Sequence, residues 1–169
     1  MENIKTNRLI LRKPRKSDSK SLLTLLTDED IRIYLPDWYC KDSNDIKAFF
    51  SEIVEYTDYE KVFLFVIEDI STKEIVGIID SSIFSDGSCP ICYAVKESAR
   101  GRGIMPEALQ AFITFLYNNT TADVHSVTFM IKKDNNSSLK VMEKLEIPYQ
   151  CELGIYHEFE LSFEEELPW

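Results

Sequence analysis

The opening Arg8-Leu9-Ile10-Leu11-Arg12 sets three apolar residues between two arginines and stops at Pro14, which predicts a first strand. Ser17 or Asp18 then caps a short helix carrying Leu22, Leu23, Leu25 and Leu26. Residues 34–39, with Tyr34, Leu35, Pro36, Trp38 and Tyr39, read as a loop. The cluster Asp42-Ser43-Asn44-Asp45 caps a second helix, whose apolar stripe is Ile46, Phe49, Phe50, Ile53 and Val54 at spacings of three and four. Three strand runs follow. Residues 62–67 are almost wholly apolar, as in a strand buried on both faces. Residues 75–84 come after a Thr72-Lys73-Glu74 turn, and 91–95 come after an Asp86-Gly87 turn.

Met105, Ala108, Leu109, Phe112, Ile113 and Leu116 form one stripe of a helix over 105–117. A strand over 124–131, a helix over 135–145 and two closing strands over 149–153 and 156–163 complete the chain. The predicted order is β-α-α-β-β-β-α-β-α-β-β, a mixed α/β (α+β) layer fold and not a regular βαβ repeat. Without an internal repeat, a low-complexity linker or a break in composition, residues 1–169 are expected to form one domain.

Charge narrows the partners. Asp plus Glu outnumber Lys plus Arg by 29 to 19, a net charge of −10. A binder of nucleic-acid backbone or of anionic lipid needs a basic surface, so both classes are excluded, whereas cationic acceptors such as amines are permitted. The first residues offer no continuous apolar core of a signal peptide, and no run approaches the roughly 18 apolar residues of a membrane helix. A cytoplasmic location is expected. Of the 4 cysteines, Cys89 and Cys92 form a CxxC pair that leads into a strand rather than a helix, so their thiols fall on opposite faces. No second ligand pair accompanies them, and no metal site is expected; they read as packing residues.

The chemistry concentrates in Tyr93 to Leu109, YAVKESARGRGIMPEAL. A strand ends, glycines and arginines follow, and a helix starts with Pro106 in its first turn. Glycines admit a close ligand, and free N–H groups at a helix start bind anions. The arrangement fits a pyrophosphate clamp. It is neither a Walker loop nor a dinucleotide fingerprint, because GxxxxGK[ST] is absent and Pro106 stands at the third glycine position.

The segment from Arg100 through Gly103 to Met105 resembles the acetyl-CoA loop of the GNAT N-acetyltransferases, [QR]-x-x-G-x-[GA], with Met105 in place of the final small residue. Thr6-x-Arg8-Leu9-Ile10-Leu11-Arg12 resembles the first strand of the RimJ/RimL-type branch. Ile91-Cys92-Tyr93-Ala94-Val95 resembles its fourth strand, usually I-G-Y-x-[LV]. Asn135-Asn136-Ser137-Ser138 with Val141-Met142-Glu143-Lys144-Leu145 resembles its N-x-x-S helix start and E-K-x-G-F end. The resemblance implies a strongly twisted, mixed sheet of six to seven strands flanked by helices, with the fourth and fifth strands splayed and acetyl-CoA in the wedge between them. Backbone N–H groups of Arg100, Gly101, Arg102, Gly103, Ile104 and Met105 would hold the pyrophosphate. The pantetheine would run beside Ala94 and Val95 like an added strand, and Asn135 would hydrogen-bond it.

The activity so implied is acetyl transfer from acetyl-CoA to a primary amine, a protein N-terminus or a small molecule, by direct attack. The Val95 N–H would face the carbonyl oxygen and Ser138 the leaving sulfur. Dimers are common in the branch, so a homodimer is one assembly the resemblance allows. Many relatives carry Glu just before the fourth strand's Ile-Gly-Tyr, where this chain has Pro90. The base is therefore sought at Asp80, an acid within an apolar run, or at Glu152, with His157 a weaker candidate. Cys92 at the usual strand glycine would crowd the pantetheine, and Glu146-Ile147-Pro148 in place of Gly-Phe implies a different turn after the last helix. Pro90, Cys92 and Met105 also keep two rivals open: a non-catalytic CoA-binding or regulatory module on the same fold, and a cofactor-free interaction domain.

Overall fold

The computed structural model describes residues 2–56, 61–119 and 124–169. Strands β1 (Ile4–Lys5) and β2 (Leu9–Arg12) lead to helices α1 (Ser19–Leu26), α2 (Glu29–Tyr34) and α3 (Ser43–Tyr56). Strands β3 (Val62–Asp69), β4 (Ile75–Ser82) and β5 (Ser88–Val95) run antiparallel in sequence. Helix α4 (Ile104–Asn119), β6 (Ser126–Lys132), α5 (Asn136–Lys144), β7 (Tyr149–Leu153) and β8 (Tyr156–Ser162) follow. The described strands form an eight-stranded sheet in the order β1-β2-β3-β4-β5-β6-β8-β7. The sheet thus has one strand more than the upper end of the expected six to seven. The extra strand, β1, has only 2 residues, too short for a period-2 pattern to announce. Helix α2 is a second correction, because 29–34 lies in a stretch with no predicted element; Asp28 caps it by accepting the Asp30 N–H at 2.9 Å.

Alternation along the strands builds two cores. Odd positions such as Phe65, Ile67 and Ile79 pack with Phe112 and Leu116 of α4 and Met142 of α5. Even positions such as Leu64, Val66, Ile78 and Ala94 pack with Leu22 and Leu26 of α1, Ile31 of α2 and Ile46 of α3. The predicted α4 stripe is buried throughout. Asp42 and Asp45 cap α3 as expected, Asp42 accepting the Asn44 N–H at 2.6 Å. Of the α3 stripe, Ile46 is buried, and the side chains of Phe50, Ile53 and Val54 lie outside the described part.

Asp18 does not cap α1 through its side chain. Its carboxylate turns back to the Arg15 N–H at 2.6 Å and to both Arg12 terminal nitrogens at 2.8 and 2.9 Å, while Arg12 Nε donates to Glu68 at 2.7 Å. Arg12 and Asp18 are each 6 % exposed, so a bidentate pair is worth more here than a cap. Burial pushes the Asp18 carboxyl up, but Arg12 and the Arg15 N–H together hold it below its ordinary value. Asp18→Ala leaves a buried guanidinium half-paired and is expected to cost about 3–5 kcal/mol at pH 7, measured by urea unfolding. Because the folded carboxyl is depressed, that contribution is fully present above the ordinary carboxylate value and is lost as pH falls below it through the lower folded value. The gap between variant and wild type should close in acid.

Glu146 takes the left-handed conformation, φ 53°, that glycine usually supplies, and the Ile147 N–H closes on the Met142 carbonyl at 3.0 Å. Ile147 is 5 % exposed and fills the core where the aromatic was missing.

Candidate active site

The sheet opens between β5 and β6. These strands pair in parallel at Ser88–Ser126, Cys89–Val127 and Pro90–Thr128 and no further. On its other side β5 stays paired with β4 up to Val95. The Lys96 N–H donates to the Val76 carbonyl at 2.9 Å. Antiparallel alternation then directs the even residues of β5 to β4 and turns the Tyr93 and Val95 backbone groups towards the gap. This is the expected splay of the fourth and fifth strands, numbered β5 and β6 here because β1 precedes them. The gap forms a cavity of about 490 Å³ lined by Cys92, Tyr93, Ala94, Val95, Arg100, Gly101, Gly103, Ile104, Met105, Asn135 and Ser138, among others.

One end of the cavity is an anion cradle. Gly101 and Gly103 both have φ 72°, a conformation that strains any residue with a Cβ. The Gly103 carbonyl accepts the Glu107 N–H at 3.3 Å, which makes Gly103 the cap of α4 and leaves the Ile104 and Met105 N–H groups without intrahelical partners. Pro106 has no N–H to leave unpaired.

Arg8 fixes the loop from behind. It donates to the Arg102 carbonyl at 3.1 Å and the Gly103 carbonyl at 3.4 Å, and its Nε binds Glu107 at 2.7 Å. Lys144 of α5 stands close by: a Cβ built on Gly103 would lie 3.6 Å from Arg8 Nη2 and 3.7 Å from Lys144 Nζ. Lys140, one turn earlier, also lines the cavity. Arg8, Lys140 and Lys144 were not singled out from sequence for this role, since they come from separate places in the chain. Only the i, i+4 spacing of the two lysines hinted at a basic stripe.

Arg100 is a strut. Its guanidinium binds Asp28 at 2.8 Å and Asp30 at 2.7 Å, and its Nε donates to the Val95 carbonyl at 3.3 Å. It ties the cradle to α2 and to the end of β5, so its side chain is committed and only its backbone remains for a ligand. Arg102 is exposed and 3.7 Å from Asp69. Ile104 and Met105 point into the core, 2 % and 4 % exposed, so the methionine side chain packs inside rather than filling the mouth of the loop.

At the other end, Asn135 caps α5 by accepting the Ser138 N–H at 3.1 Å, and both residues line the cavity. The Asn135 amide nitrogen has no partner among the described residues. Asp80 sits on β4 directly opposite Cys92. It does not itself line the cavity; Cys92 does. No cation pairs with Asp80 among the described residues. Desolvation raises its carboxyl to about 6, opposed only by the Ser81 N–H. The residue Cys92 is exposed, yet desolvation, then Asp80 and Asp37, push its thiol up to about 11. Cys89, on the opposite face as expected, is buried in the core with its sulfur 2.9 Å from the Ser81 hydroxyl. Glu152 is not brought to the cavity: it is exposed on β7 and held below its ordinary value by Lys133 at 2.6 Å. His157 does not line the cavity either.

The 34–39 segment divides. Tyr34 and Leu35 line the cavity, while Trp38 and Tyr39 pack on the second core around the short 3-10 turn Pro36–Trp38. Lys132 of β6 reaches across to donate to the Ile33 carbonyl at 2.7 Å and lies 5.9 Å over the Tyr34 ring.

An open sheet with parted strands, and a glycine cradle at the helix after the first of them, define an acetyltransferase fold. Residues 8–147 match the acetyltransferase (GNAT) domain family, and the chain belongs to it. Solved structures agree in fold. A GNAT-family acetyltransferase from Bacillus anthracis superposes with a TM-score of 0.81 at 20% identity, covering 97% of this chain and 100% of its own. The ribosomal-protein-S5-alanine acetyltransferase of Vibrio fischeri gives 0.79 at 16%, covering 98% of each chain. Mycobacterium smegmatis RimJ, in complex with CoA-disulfide, gives 0.79 at 20%, covering 95% of this chain and 84% of its own. Comparison with curated protein sequences gave no match. Among the described residues, no helix is long and apolar enough to cross a membrane.

Proposed function

We propose that this protein transfers the acetyl group of acetyl-CoA to a primary amine, a protein N-terminus or a small amine, with Asp80 as proton acceptor and Ser138 beside the leaving sulfur. The observation that carries this reading is the parting of β5 and β6 beyond Pro90 and Thr128, with an anion cradle at one end of the resulting cavity. The residues fit the donor. The cradle combines two positive-φ glycines, free N–H groups and the cations Lys140 and Lys144, with Arg8 bracing the loop from behind. The backbone edge of Tyr93 and Val95 accepts an extended chain as a strand would. Acetyl-CoA supplies a thioester: a C–N bond forms to the amine as the C–S bond breaks, and the electron pair leaves on sulfur.

The chain's own residues do the rest. The Val95 N–H, turned into the gap, would hold the developing oxyanion. An amine reacts only when neutral, so its proton must go to a base directly or through one water. Asp80 suits that role because it occupies the same sheet face as Pro90, where many relatives carry their carboxylate, but stands one strand over. Glu152, ion-paired and exposed, is set aside. RimJ and the S5-alanine acetyltransferase supply the analogy for CoA and for an N-terminal acceptor. The net charge of −10 favours cationic acceptors.

Calorimetric titration with acetyl-CoA and CoA, followed by CoA-release assays on amines and N-terminal peptides, tests the proposal. One-to-one binding with amine-dependent release is the expected result. Binding without release from any amine would favour the non-catalytic CoA module. No binding at millimolar ligand would overturn the cofactor assignment and return the protein to a cofactor-free interaction domain.

A further inference from the structure

Helix α2 walls the cavity with Asp30, Ile31, Tyr34 and Leu35. It has 6 residues and buries only Ile31, too little to hold so short a helix in place by packing. Polar side chains from both sides of the gap hold it instead. At its start, Arg100 of the cradle binds Asp28 at 2.8 Å and Asp30 at 2.7 Å, and its Nε donates to the Val95 carbonyl at the end of β5 at 3.3 Å. At its end, Lys132 of β6 donates to the Ile33 carbonyl at 2.7 Å and lies 5.9 Å from the centre of the Tyr34 ring. The last carbonyls of a helix lack intrahelical partners and attract cations, so this contact suits both groups. Arg100 and Lys132 line the same cavity. A continuous strap therefore runs from β5 through Arg100, along α2 and through Lys132 to β6. It spans the gap that opens beyond Pro90 and Thr128. Ile31 packs with Ile78 and Ala94, so the strap lies over the sheet face that alternation also gives to Asp80 and Cys92.

We propose that Lys132 is a positioning residue for the acceptor: by fastening the end of α2 to β6, it holds Tyr34 and Leu35 as the wall along which the amine reaches the thioester. The inference rests on the acetyl-CoA reading above. With the pantetheine along the Tyr93–Val95 edge, an amine that gives its proton to Asp80 approaches from the Asp80 face, beneath Tyr34 and Leu35. The two ends of the strap have different duties. Arg100 ties it to the loop that holds the donor's phosphates. Lys132 has no part in that loop, so losing its ammonium frees the acceptor wall and leaves donor binding intact. A wall that is closed only part of the time raises the apparent acceptor constant by the inverse of the closed fraction.

The test compares Lys132→Met, which keeps the apolar stem and removes the ammonium, with Lys132→Arg, which restores a donor and a cation over the ring. The acceptor is the amine or N-terminal peptide that gives wild type its fastest CoA release. Its KM should rise about tenfold in Lys132→Met, while the Kd of acetyl-CoA, measured by calorimetry, stays within about twofold. Water replaces the ammonium at the Ile33 carbonyl, so the melting temperature should stay within about 2 °C. Amide hydrogen exchange over residues 31–35 should quicken about tenfold, with the cradle amides unmoved. Lys132→Arg should stay within about threefold of wild type in both acceptor KM and exchange. An unchanged acceptor KM, unchanged exchange in α2, an equal loss in Lys132→Arg, or a matching fall in acetyl-CoA affinity would each overturn the positioning role. Wild-type protein that binds no acetyl-CoA, or releases no CoA with any amine, would instead overturn the acetyl-transfer reading and this inference with it.

Discussion

Gly103→Glu is expected to abolish measurable acetyl-CoA binding, a loss of at least about a hundredfold in Kd. Three effects act together. Gly103 holds φ 72°, where a side chain costs about 1–2 kcal/mol. The new Cβ finds room, since its nearest neighbours are Arg8 Nη2 at 3.6 Å and Lys144 Nζ at 3.7 Å. That room is the difficulty, because a glutamate there would pair with Lys144 and compete with Glu107 for Arg8. It would take up the charge meant for the pyrophosphate and place a fixed negative charge at the start of α4. Gly103→Ala separates strain from charge: it should melt slightly lower but bind acetyl-CoA within about tenfold of wild type. A folded Gly103→Glu protein with unchanged affinity would move the phosphates away from this loop.

The cradle was legible in the sequence because it is local: the glycines, arginines and Pro106 are close together, and the stripe from Met105 to Leu116 announces the helix they start. The cations behind the cradle were not, because Arg8 lies between β1 and β2 and Lys140 and Lys144 lie on α5. No local pattern reports that contact. Helix α2 escaped for a related reason. Its 6 residues bury only Ile31, and its position is braced by Arg100, far along the chain, through Asp28 and Asp30. Asp80 was legible as an acid among Ile and Val. Glu152 looked equally suitable, and only the packing distinguishes them: one carboxylate is partly buried without a cation, the other is exposed against Lys133. Tyr93 read as part of a strand, and it packs on Phe129 there, but its unpaired hydroxyl is a property of the tertiary fold alone.

Asp80→Asn is expected to slow acetyl transfer by about 10²- to 10⁴-fold while making the protein more stable at neutral pH. The carboxyl is raised from 3.8 to about 6 by desolvation. As a base it works only when ionised, so wild-type kcat/KM should fall about tenfold per unit below pH 6 and level off above it. The variant should lose that limb of the profile. The sign for stability is the reverse of a salt-bridged acid. Folding binds the Asp80 proton more tightly than the unfolded chain does, so this group costs nothing below about pH 4 and progressively more as pH rises to 6. Above that the cost is constant, at most about 3 kcal/mol for a shift of this size. Asparagine imitates the neutral acid and escapes it. Wild type and variant should therefore unfold alike near pH 4 and separate between pH 4 and 6. The variant should be the more stable above that range and nearly inactive throughout it. A variant that is both stabilised and fully active would show that the amine's proton leaves by another route. A variant that is inactive but not stabilised would show that Asp80 is better solvated than its place opposite Cys92 implies. Stabilisation together with loss of activity is the mark of a strained carboxylate kept for catalysis, and no purely structural role for Asp80 gives that pair of results.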